Sequence, residues 1–388
     1  MAPFESTRLG PVTLRNRFIK AATFEGSSPK GEVTDALVDF HRRVGEGGAA
    51  MTTVAYLAVS PEGRTDRHCI YTHGGAVSGL RRLTDAVHDT GAAVAAQLGH
   101  AGPVANSRSN GAPSLAPSRH ISPLGSVSRE ITVADIARVT ADYGRAARLV
   151  VEAGFDSIEV HLGHNYLLSA FLSPKLNRRR DKWGGTVENR ARFARQVVRT
   201  VREAVGDRAA VTAKLNMADG VPGGLWLDDS VEVARLLEAD GALDALTLTG
   251  GSSLANPMYL FRGEAPRREF AATLPRALRL GFRVMGSRFM PEYPFEEAFF
   301  LPYARQFRAA LDMPLVLLGG INELATVDRA LSEGFSFVAM ARALLREPDL
   351  VSKMDAGTSR ASLCIHCNKC MPTIYSGTRC VLVDQPGT

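Results

Sequence analysis

Short apolar segments alternate with amphipathic helical segments along almost the whole chain. Eight of the apolar segments have the length and the β-branched content of buried strands. They are predicted at residues 18–22, 49–56, 92–98, 157–160, 210–216, 245–249, 315–318 and 335–340. Helices are predicted at residues 35–46, 78–89, 132–154, 186–205, 227–239, 301–311 and 322–333. This alternation predicts an α/β fold in which eight parallel strands close into a (β/α)8 TIM barrel.

Two long segments interrupt the alternation. Residues 101–129 are rich in Pro, Ser, Gly and Asn and have no periodicity. In a compact domain we expect such a segment to be a functional loop rather than a linker. Residues 252–300 form a long insertion after the sixth strand, and their middle (274–284) predicts a basic helix with an apolar face. The insertion is either a surface extension or subunit contact, as in a homo-oligomer, or a lid that shapes substrate access.

Length and charge narrow the class of protein. The chain has 388 residues, enough for one barrel (1–355) and a short cysteine-rich tail (356–388). Its net charge of +6 comes from 46 basic and 40 acidic side chains. The excess suits an anionic cofactor or a phosphorylated substrate. It forms no basic stripe interleaved with aromatic residues, so we expect no nucleic-acid partner. Because the N-terminus is polar and no apolar run is long enough to span a membrane, we expect a cytoplasmic protein without membrane association.

Polar side chains with catalytic potential follow the fourth predicted strand. His161, His164 and Tyr166 are placed on one short loop at the carboxyl end of that strand, the end at which TIM barrels carry their active sites. Two imidazoles can hydrogen-bond one anionic oxygen, and a nearby phenol can deliver a proton. Taken singly, they are better interpreted as satisfied loop histidines and a packing tyrosine. The next helix is expected to begin after its N-cap Thr186 and to end at Gly206.

The loops after the seventh and eighth strands predict a phosphate site. They contain Gly319-Gly320 and Ala341-Arg342. Glycines allow backbone N–H groups to approach an anion closely, and arginine supplies a fork of donors. A glycine pair alone is weak evidence, because many barrel turns contain one.

The cysteines are distributed unevenly. Cys69 stands alone and is expected to be a small buried hydrophobic residue. The other four crowd into the tail as Cys364, Cys367, Cys370 and Cys380. Four thiolates at such short spacing suit an iron–sulfur cluster or zinc. A vestigial thiol patch is the remaining alternative.

One long motif connects these features to a known family. The order His161-x2-His164-x-Tyr166 is followed by FLSP, N-x-R-x-D-x2-G-G and E-N-R-x-R-F, ending at Phe193. This stretch resembles the signature region of the old yellow enzyme family of FMN-dependent NADH:flavin oxidoreductases. Within that family it is similar to the branch of 2,4-dienoyl-CoA reductase and trimethylamine dehydrogenase. The resemblance extends from about residue 9 to residue 346.

The resemblance implies an FMN site at the barrel mouth. Gln97 matches the glutamine that binds the flavin pyrimidine, and Lys214 stands where most relatives have an arginine near flavin N1 and O2. A cation there stabilises the negative charge of the reduced flavin. The remaining implied contacts are Ala22, Thr23 and Ala55 with the isoalloxazine ring, and Gly319, Gly320, Ala341 and Arg342 with the phosphate.

The resemblance also implies an activity. His161 and His164 match the pair that binds a substrate carbonyl oxygen, and Tyr166 matches the proton donor. The expected reaction is NAD(P)H-dependent reduction of an activated alkene, a small molecule whose C=C bond is conjugated to a carbonyl. The tail resembles the [4Fe–4S] run of the same branch, with a shorter last interval. Two alternatives are an iron–sulfur flavoprotein that exchanges electrons with a separate carrier, or oxidises its substrate, and a flavin-binding barrel without activity.

Overall fold

Eight parallel strands form a closed barrel in the computed structural model, which describes residues 1–121 and 127–383. Each strand pairs with its neighbours in sequence, and the eighth pairs with the first. The strands are β1 (Phe18–Lys20), β2 (Met51–Ala58), β3 (Ala93–Gly99), β4 (Ser157–Leu162), β5 (Ala210–Asn216), β6 (Ala245–Thr249), β7 (Leu315–Leu318) and β8 (Phe337–Met340). The predicted TIM barrel is confirmed.

Helices surround the barrel in the predicted order. They are α1 (Asp35–Glu46), α2 (Val77–His88), α3 (Val133–Glu152), α4 (Val187–Val205), α5 (Leu227–Ala239), α6 (Leu301–Ala310), α7 (Leu324–Ser332) and α8 (Arg342–Arg346). Thr132 forms a capping box with Asp135 at the start of α3. Thr186 caps α4 through the Asn189 N–H, and Gly206 ends that helix with a φ of 54°. These caps satisfy backbone groups that the helices leave unpaired.

The two largest hydrophobic clusters lie in different parts of the barrel. The larger cluster lies between the strands and the surrounding helices. A second cluster includes Leu9 and Leu14 together with Met51, Ala210 and Ala245, the first residues of β2, β5 and β6. Leu9 and Leu14 belong to an antiparallel hairpin formed by Thr7–Leu9 and Val12–Leu14. The hairpin therefore covers the amino end of the barrel and leaves the carboxyl end for a site.

The fourth strand is longer than predicted. The sequence placed His161 in a loop, but β4 continues through Leu162, and His161 lies opposite Lys214 of β5. The run of polar residues after Val160 suggested an earlier end, which was wrong because pairing with β5 holds those residues in the sheet. The other strand boundaries differ from the predicted ones by two residues or fewer.

The segment at 101–129 has more regular structure than its composition suggested. It includes the short helix Ser107–Asn110 and a small sheet of Ser114–Ala116, His120–Ile121 and Val127–Glu130. The lack of periodicity was misleading because strands this short carry no periodic signal. The described residues leave out 122–126 of this segment and 384–388 of the tail. The role of residues 101–129 as a functional loop stays a prediction.

The insertion at 252–300 is largely helical. It contains Met258–Phe261, Arg267–Thr273 and Arg276–Phe289, the last close to the predicted basic helix. The remaining short helices are Leu167–Leu172 after β4 and Leu350–Asp355 before the tail, which has a 3-10 turn at Met371–Tyr375. None of the helices described is long and apolar enough to cross a membrane.

Candidate active site

Two imidazoles and a phenol meet at the carboxyl end of β4. The His161 ring centroid lies 5.1 Å from that of His164 and 4.7 Å from that of Tyr166. The Tyr166 ring also lies 5.3 Å from the ring of Tyr56, whose hydroxyl donates to the Gly63 carbonyl at 2.7 Å. The structure therefore brings the three predicted catalytic side chains together.

The loop that carries His164 is fixed by the neighbouring strand. His164 and Asn165 both have left-handed backbone conformations, with φ of 60° and 59°. The His164 N–H donates to Asn216 Oδ1 at 3.0 Å, and its carbonyl accepts from the Ser253 N–H at 3.1 Å. Asn216 is fully buried at the end of β5 and donates in turn to Asp219 Oδ1 at 2.8 Å. These bonds stabilise a backbone conformation that non-glycine residues seldom adopt.

Both imidazoles are neutral at physiological pH. Burial lowers the pKa of His161 well below its usual value, and the nearby His164 and Lys214 lower it further. Burial, together with Lys214, lowers the pKa of His164 to about 3. His161 Nδ1 accepts from the Gly163 N–H at 3.3 Å, so its proton resides on Nε2, which can donate to a ligand.

A buried polar chain crosses three strands beneath the imidazoles. Gln97 Nε2 of β3 donates to Glu159 Oε1 of β4 at 2.7 Å, and Lys214 Nζ of β5 lies 3.0 Å from the same oxygen. The side chains of Lys214 and Glu159 are only 3% and 8% exposed. Gln97 and Lys214 were predicted to contact the flavin pyrimidine, and their position at the centre of the barrel suits that role.

The sequence did not identify Glu159 as a site residue. It stands between the apolar residues Ile158 and Val160 of β4, and a charge buried there requires a partner from an adjacent strand. The β-sheet register places Gln97 directly opposite Glu159. Asn216 was missed in the same way, although a polar residue at the carboxyl end of a barrel strand is a general signal for a site.

Ala22, Thr23 and Ala55 lie partly exposed just beyond β1 and within β2. Thr23 Oγ1 accepts from Lys20 Nζ at 2.8 Å, and the Ala55 N–H donates to Glu25 Oε2 at 3.0 Å. Burial raises the pKa of Glu25 and lowers that of Lys20, and their mutual attraction opposes both shifts. Lys20 and Glu25 are a second buried polar group that the sequence did not reveal.

The Gly319-Gly320 turn has the geometry that only glycine adopts readily. The φ angles of Gly319 and Gly320 are 110° and 76°, in the positive-φ half of the Ramachandran map, which glycine enters readily. A Cβ at Gly319 would lie 2.4 Å from Phe300 Cδ2, and one at Gly320 would lie 2.7 Å from Phe299 Cδ1. The turn therefore requires glycine at both positions.

Arg342 begins α8 and reaches the cysteine tail. Its Nη1 donates to the Arg262 carbonyl at 2.9 Å and to Asn368 Oδ1. Burial lowers its pKa, and the thiols of Cys364, Cys370 and Cys367 oppose that shift. Arg342 follows β8, which pairs with the strand that precedes the Gly319-Gly320 turn, but its hydrogen bonds go to the insertion and the tail.

The four tail cysteines converge. Cys364, Cys367, Cys370 and Cys380 line one small cavity together with Arg342. Burial raises the pKa of Cys364, and raises that of Cys370 to about 11, so a metal would have to displace protons on binding. Within the described ranges, no group of three or more His, Cys, Asp or Glu side chains has an arrangement suited to a metal ion. The predicted metal ligands are therefore near one another without forming a closed site, whereas Cys69 is buried and separate.

Comparisons with known proteins show the family of the chain. Residues 3–246 match the family described as NADH:flavin oxidoreductase / NADH oxidase. The chain is 60% identical over 383 residues to a 4,4'-dithiodibutanoate disulfide reductase of Rhodococcus erythropolis, covering 98% of this chain and 95% of that protein. It is 29% identical to a multifunctional alkene reductase/demethylase of Caballeronia cordobensis, over 93% of this chain and 51% of that protein.

Solved structures show the same fold. A 2-naphthoyl-CoA reductase complex superposes with a TM-score of 0.82 at 24% sequence identity, covering 97% of this chain and 56% of that one. The chain spans about half the length of this protein and of the alkene reductase. The chain belongs to the NADH:flavin oxidoreductase / NADH oxidase family, which includes the old yellow enzymes, and is an NAD(P)H-dependent FMN oxidoreductase.

Proposed function

We propose that this chain uses NAD(P)H to reduce organic disulfides that carry carboxylates, the class to which 4,4'-dithiodibutanoate belongs. The observation that carries the proposal is the 60% identity to a reductase of that compound, along nearly the whole of both chains. The net charge of +6 favours the binding of a dianionic substrate. The reaction converts one disulfide, one NAD(P)H and one proton into two thiols and NAD(P)⁺.

The side chains at the barrel mouth fit FMN. A buried cation and an amide lie at the centre of the mouth, and a diglycine turn precedes an arginine at its edge. An alternating set of donors and acceptors suits the pyrimidine edge of the flavin, and close backbone N–H groups suit its phosphate. We assign the ring to Ala22, Thr23, Ala55, Gln97 and Lys214, and the phosphate to Gly319, Gly320, Ala341 and Arg342.

The proposed roles of the three side chains follow from the groups they present at the mouth. FMN, when bound, would supply to the substrate the two electrons that it takes from NAD(P)H as a hydride. His161 and His164 are neutral, and each can offer one N–H to the sulfur that becomes a thiolate as the S–S bond breaks. His161 would donate from Nε2, and His164 would donate from Nδ1 when its Nε2 accepts from the Thr249 hydroxyl, which lies 3.1 Å away. Tyr166 can donate a proton to that thiolate.

Reduction of an activated alkene is the second candidate. It is supported by the same constellation, because a pair of imidazole donors can equally stabilise an enolate oxygen. Tyr166 would then protonate the α-carbon after the hydride reaches the β-carbon. The similarity to an alkene reductase of the same family supports this candidate at lower sequence identity.

The tail is the proposed place of a second cofactor. Its four converging cysteines would hold a [4Fe–4S] cluster or zinc. A cluster would favour exchange of electrons with a separate carrier. Only if that carrier replaced NAD(P)H as the electron donor would NAD(P)H alone reduce the flavin poorly.

Anaerobic stopped-flow mixing tests the proposed function. The enzyme is first reduced with NADH or NADPH, which should bleach the flavin absorbance. It is then mixed in separate experiments with 4,4'-dithiodibutanoate and with 2-cyclohexenone, and released thiol is titrated. We expect rapid reoxidation by the disulfide with release of two thiols per flavin.

Reoxidation by the enone alone would replace the disulfide proposal with the alkene candidate. Failure of both NADH and NADPH to bleach the flavin would favour the separate carrier. Reoxidation by neither compound would contradict both substrate proposals.

A further inference from the structure

The side chain of Asn368, in the cysteine tail, makes three hydrogen bonds. It lies between Cys367 and Cys370, is 1% exposed, and has a left-handed φ of 54°. Its Oδ1 accepts from Arg342 Nη1, and its Nδ2 donates to the carbonyls of Arg262 and Glu264, each at 2.9 Å. The opposite amide orientation would direct N–H groups at a guanidinium and an oxygen at two carbonyls. The partners therefore fix the orientation of the amide.

Arg342 is held by one part of its guanidinium. Both of its hydrogen bonds, to Asn368 Oδ1 and to the Arg262 carbonyl, use Nη1. A guanidinium presents five N–H donors in a planar fork. Among the partners that the described residues offer, none accepts a hydrogen bond from Arg342 Nε or Nη2. Asn368 therefore fixes the plane of the guanidinium and leaves donors for an anion.

The tail is also attached to the segment after β1, the strand that pairs with β8 in the barrel. The Thr378 N–H donates to the Glu25 carbonyl at 2.7 Å, and its hydroxyl donates to the Phe24 carbonyl. Glu25 lies in the segment between β1 and α1, and its carboxylate accepts from the Ala55 N–H of β2. Met371 packs with Met258 and Met290 of the insertion. The tail thus contacts the segments after β1, β6 and β8, three segments that surround the proposed FMN site.

We propose that Asn368 is a positioning residue for Arg342, so that the cysteine tail forms part of the FMN phosphate site. The proposal rests on the assignment of Arg342 to the phosphate under the proposed function. Asn368 would touch neither the cofactor nor the substrate. It would act by holding the arginine in one orientation, which lowers the entropy lost when the phosphate binds.

A double-mutant cycle on flavin binding tests this role. Flavin-depleted preparations of the wild type, Asn368→Ala, Arg342→Met and the double variant are titrated with FMN and with riboflavin, and flavin fluorescence is measured. Riboflavin lacks the phosphate but has the same ring. We expect Asn368→Ala to weaken FMN binding about ten-fold, the effect of one charge-assisted hydrogen bond. Riboflavin binding should be unchanged.

In the Arg342→Met background, Asn368→Ala should have no further effect on FMN binding, because the two residues act in series. Lys369→Ala is the matched control: it changes the next residue of the tail, whose side chain is 44% exposed and pairs with Glu269. That variant should bind both flavins as the wild type does. Thermal unfolding of all variants shows whether the barrel stays folded.

Two results would overturn the proposal. The first is an equal loss of FMN and riboflavin affinity in Asn368→Ala, which would indicate general loosening of the mouth. The second is full additivity of the two substitutions. If the wild type binds riboflavin and FMN equally well, the phosphate assignment itself is wrong, and if it binds neither, the FMN-dependent function fails.

Discussion

At the scale of single residues, the site depends on keeping ionisable groups in the uncharged form. Burial and the cation of Lys214 keep His161 and His164 neutral. A neutral imidazole can donate a hydrogen bond to a developing anion and does not need to lose a proton first. In the proposed chemistry, two imidazoles bind the anion and one phenol gives up its proton.

Replacing Tyr166 with phenylalanine should separate the two half-reactions. We expect flavin reduction by NAD(P)H to stay nearly unchanged and reoxidation by 2-cyclohexenone to slow by roughly 10²-fold or more, because carbon must be protonated. Reoxidation by a disulfide should slow less, because an alkyl thiolate can leave with its charge. Stopped-flow absorbance measures both steps.

Tyr56→Phe is the matched control for Tyr166→Phe. The Tyr56 ring contacts Tyr166, but its hydroxyl is held by the Gly63 carbonyl. It should therefore leave both half-reactions near wild type. Equal slowing of the two half-reactions in Tyr166→Phe would remove Tyr166 as the proton donor.

The lowered pKa of His164 predicts a pH effect on stability. The folded-state pKa is about 3, below the usual value of 6.5. The unfolded chain therefore binds a proton in this window while the folded chain does not, and stability is lost as the pH falls from 6.5 toward 3. In urea unfolding, the free energy of unfolding should fall more steeply in this window for the wild type than for His164→Asn. Above pH 7 the contribution of His164 to the unfolding free energy should not change with pH. If the curves of unfolding free energy against pH were parallel for the two proteins at all pH values, the pKa of His164 would not be lowered in the folded state.

At the scale of elements, the loops at the carboxyl end are positioned by their neighbours in the barrel. The loop after β4 is held by Asn216 of β5 and by Ser253 of the insertion. Arg179 ties the following segment to the small sheet through the carbonyls of Pro117 and Ile131. The signature motif thus contains the proposed catalytic residues together with residues that hold the loop in place.

The diglycine turn after β7 offers a test at this scale. Gly319→Ala would combine a left-handed backbone with a Cβ 2.4 Å from Phe300. We expect a loss of about 2–4 kcal/mol in unfolding free energy, from strain and overpacking together, and weaker FMN binding. Denaturant unfolding and flavin titration measure the two effects.

Gly185→Ala provides the comparison for the diglycine turn. Gly185 has a φ of 85°, but an added Cβ would meet no atom within 4 Å. Only backbone strain of about 1 kcal/mol is expected there, with FMN binding retained. If both variants lost FMN equally, close packing at Gly319 would not be what shapes the phosphate site.

At the scale of the whole molecule, different segments of the chain cover the two ends of the barrel. The hairpin of Thr7–Leu9 and Val12–Leu14 packs against the amino end. At the carboxyl end, the tail is attached to the segment after β1 through Thr378 and to Arg342 through Asn368. The barrel core and the tail are nevertheless distinct, since the two barrel clusters contain, among the residues the structure covers, none beyond Met354.

This separation predicts the effect of removing one thiol. We expect anaerobically purified protein to contain iron and acid-labile sulfide, and Cys367→Ala to lose both, because a cluster needs all four thiolates. The thermal unfolding of the barrel should change little. Metal and sulfide analysis with circular dichroism checks both points, Cys69→Ala serving as the thiol control. Zinc without sulfide in the wild type would identify a zinc site instead.

The sequence by itself determined the barrel and the family, and it placed the three candidate catalytic side chains on one segment. Strand and helix periods are local properties, so eight alternating units could be counted from residue types alone. Tyr166, His161 and His164 were recognisable because they share one short segment with a long motif. The positions of the tail thiols in one region followed from their short spacing.

Only the tertiary structure decided which distant residues meet. Glu159 becomes a site residue because β3 and β5 bring Gln97 and Lys214 to it. Asn368 reaches Arg342 because the tail folds back over the barrel mouth. Such contacts depend on the register of the strands and on the path of the chain in space. Neither can be inferred from the residues that neighbour Glu159 or Asn368 in the sequence.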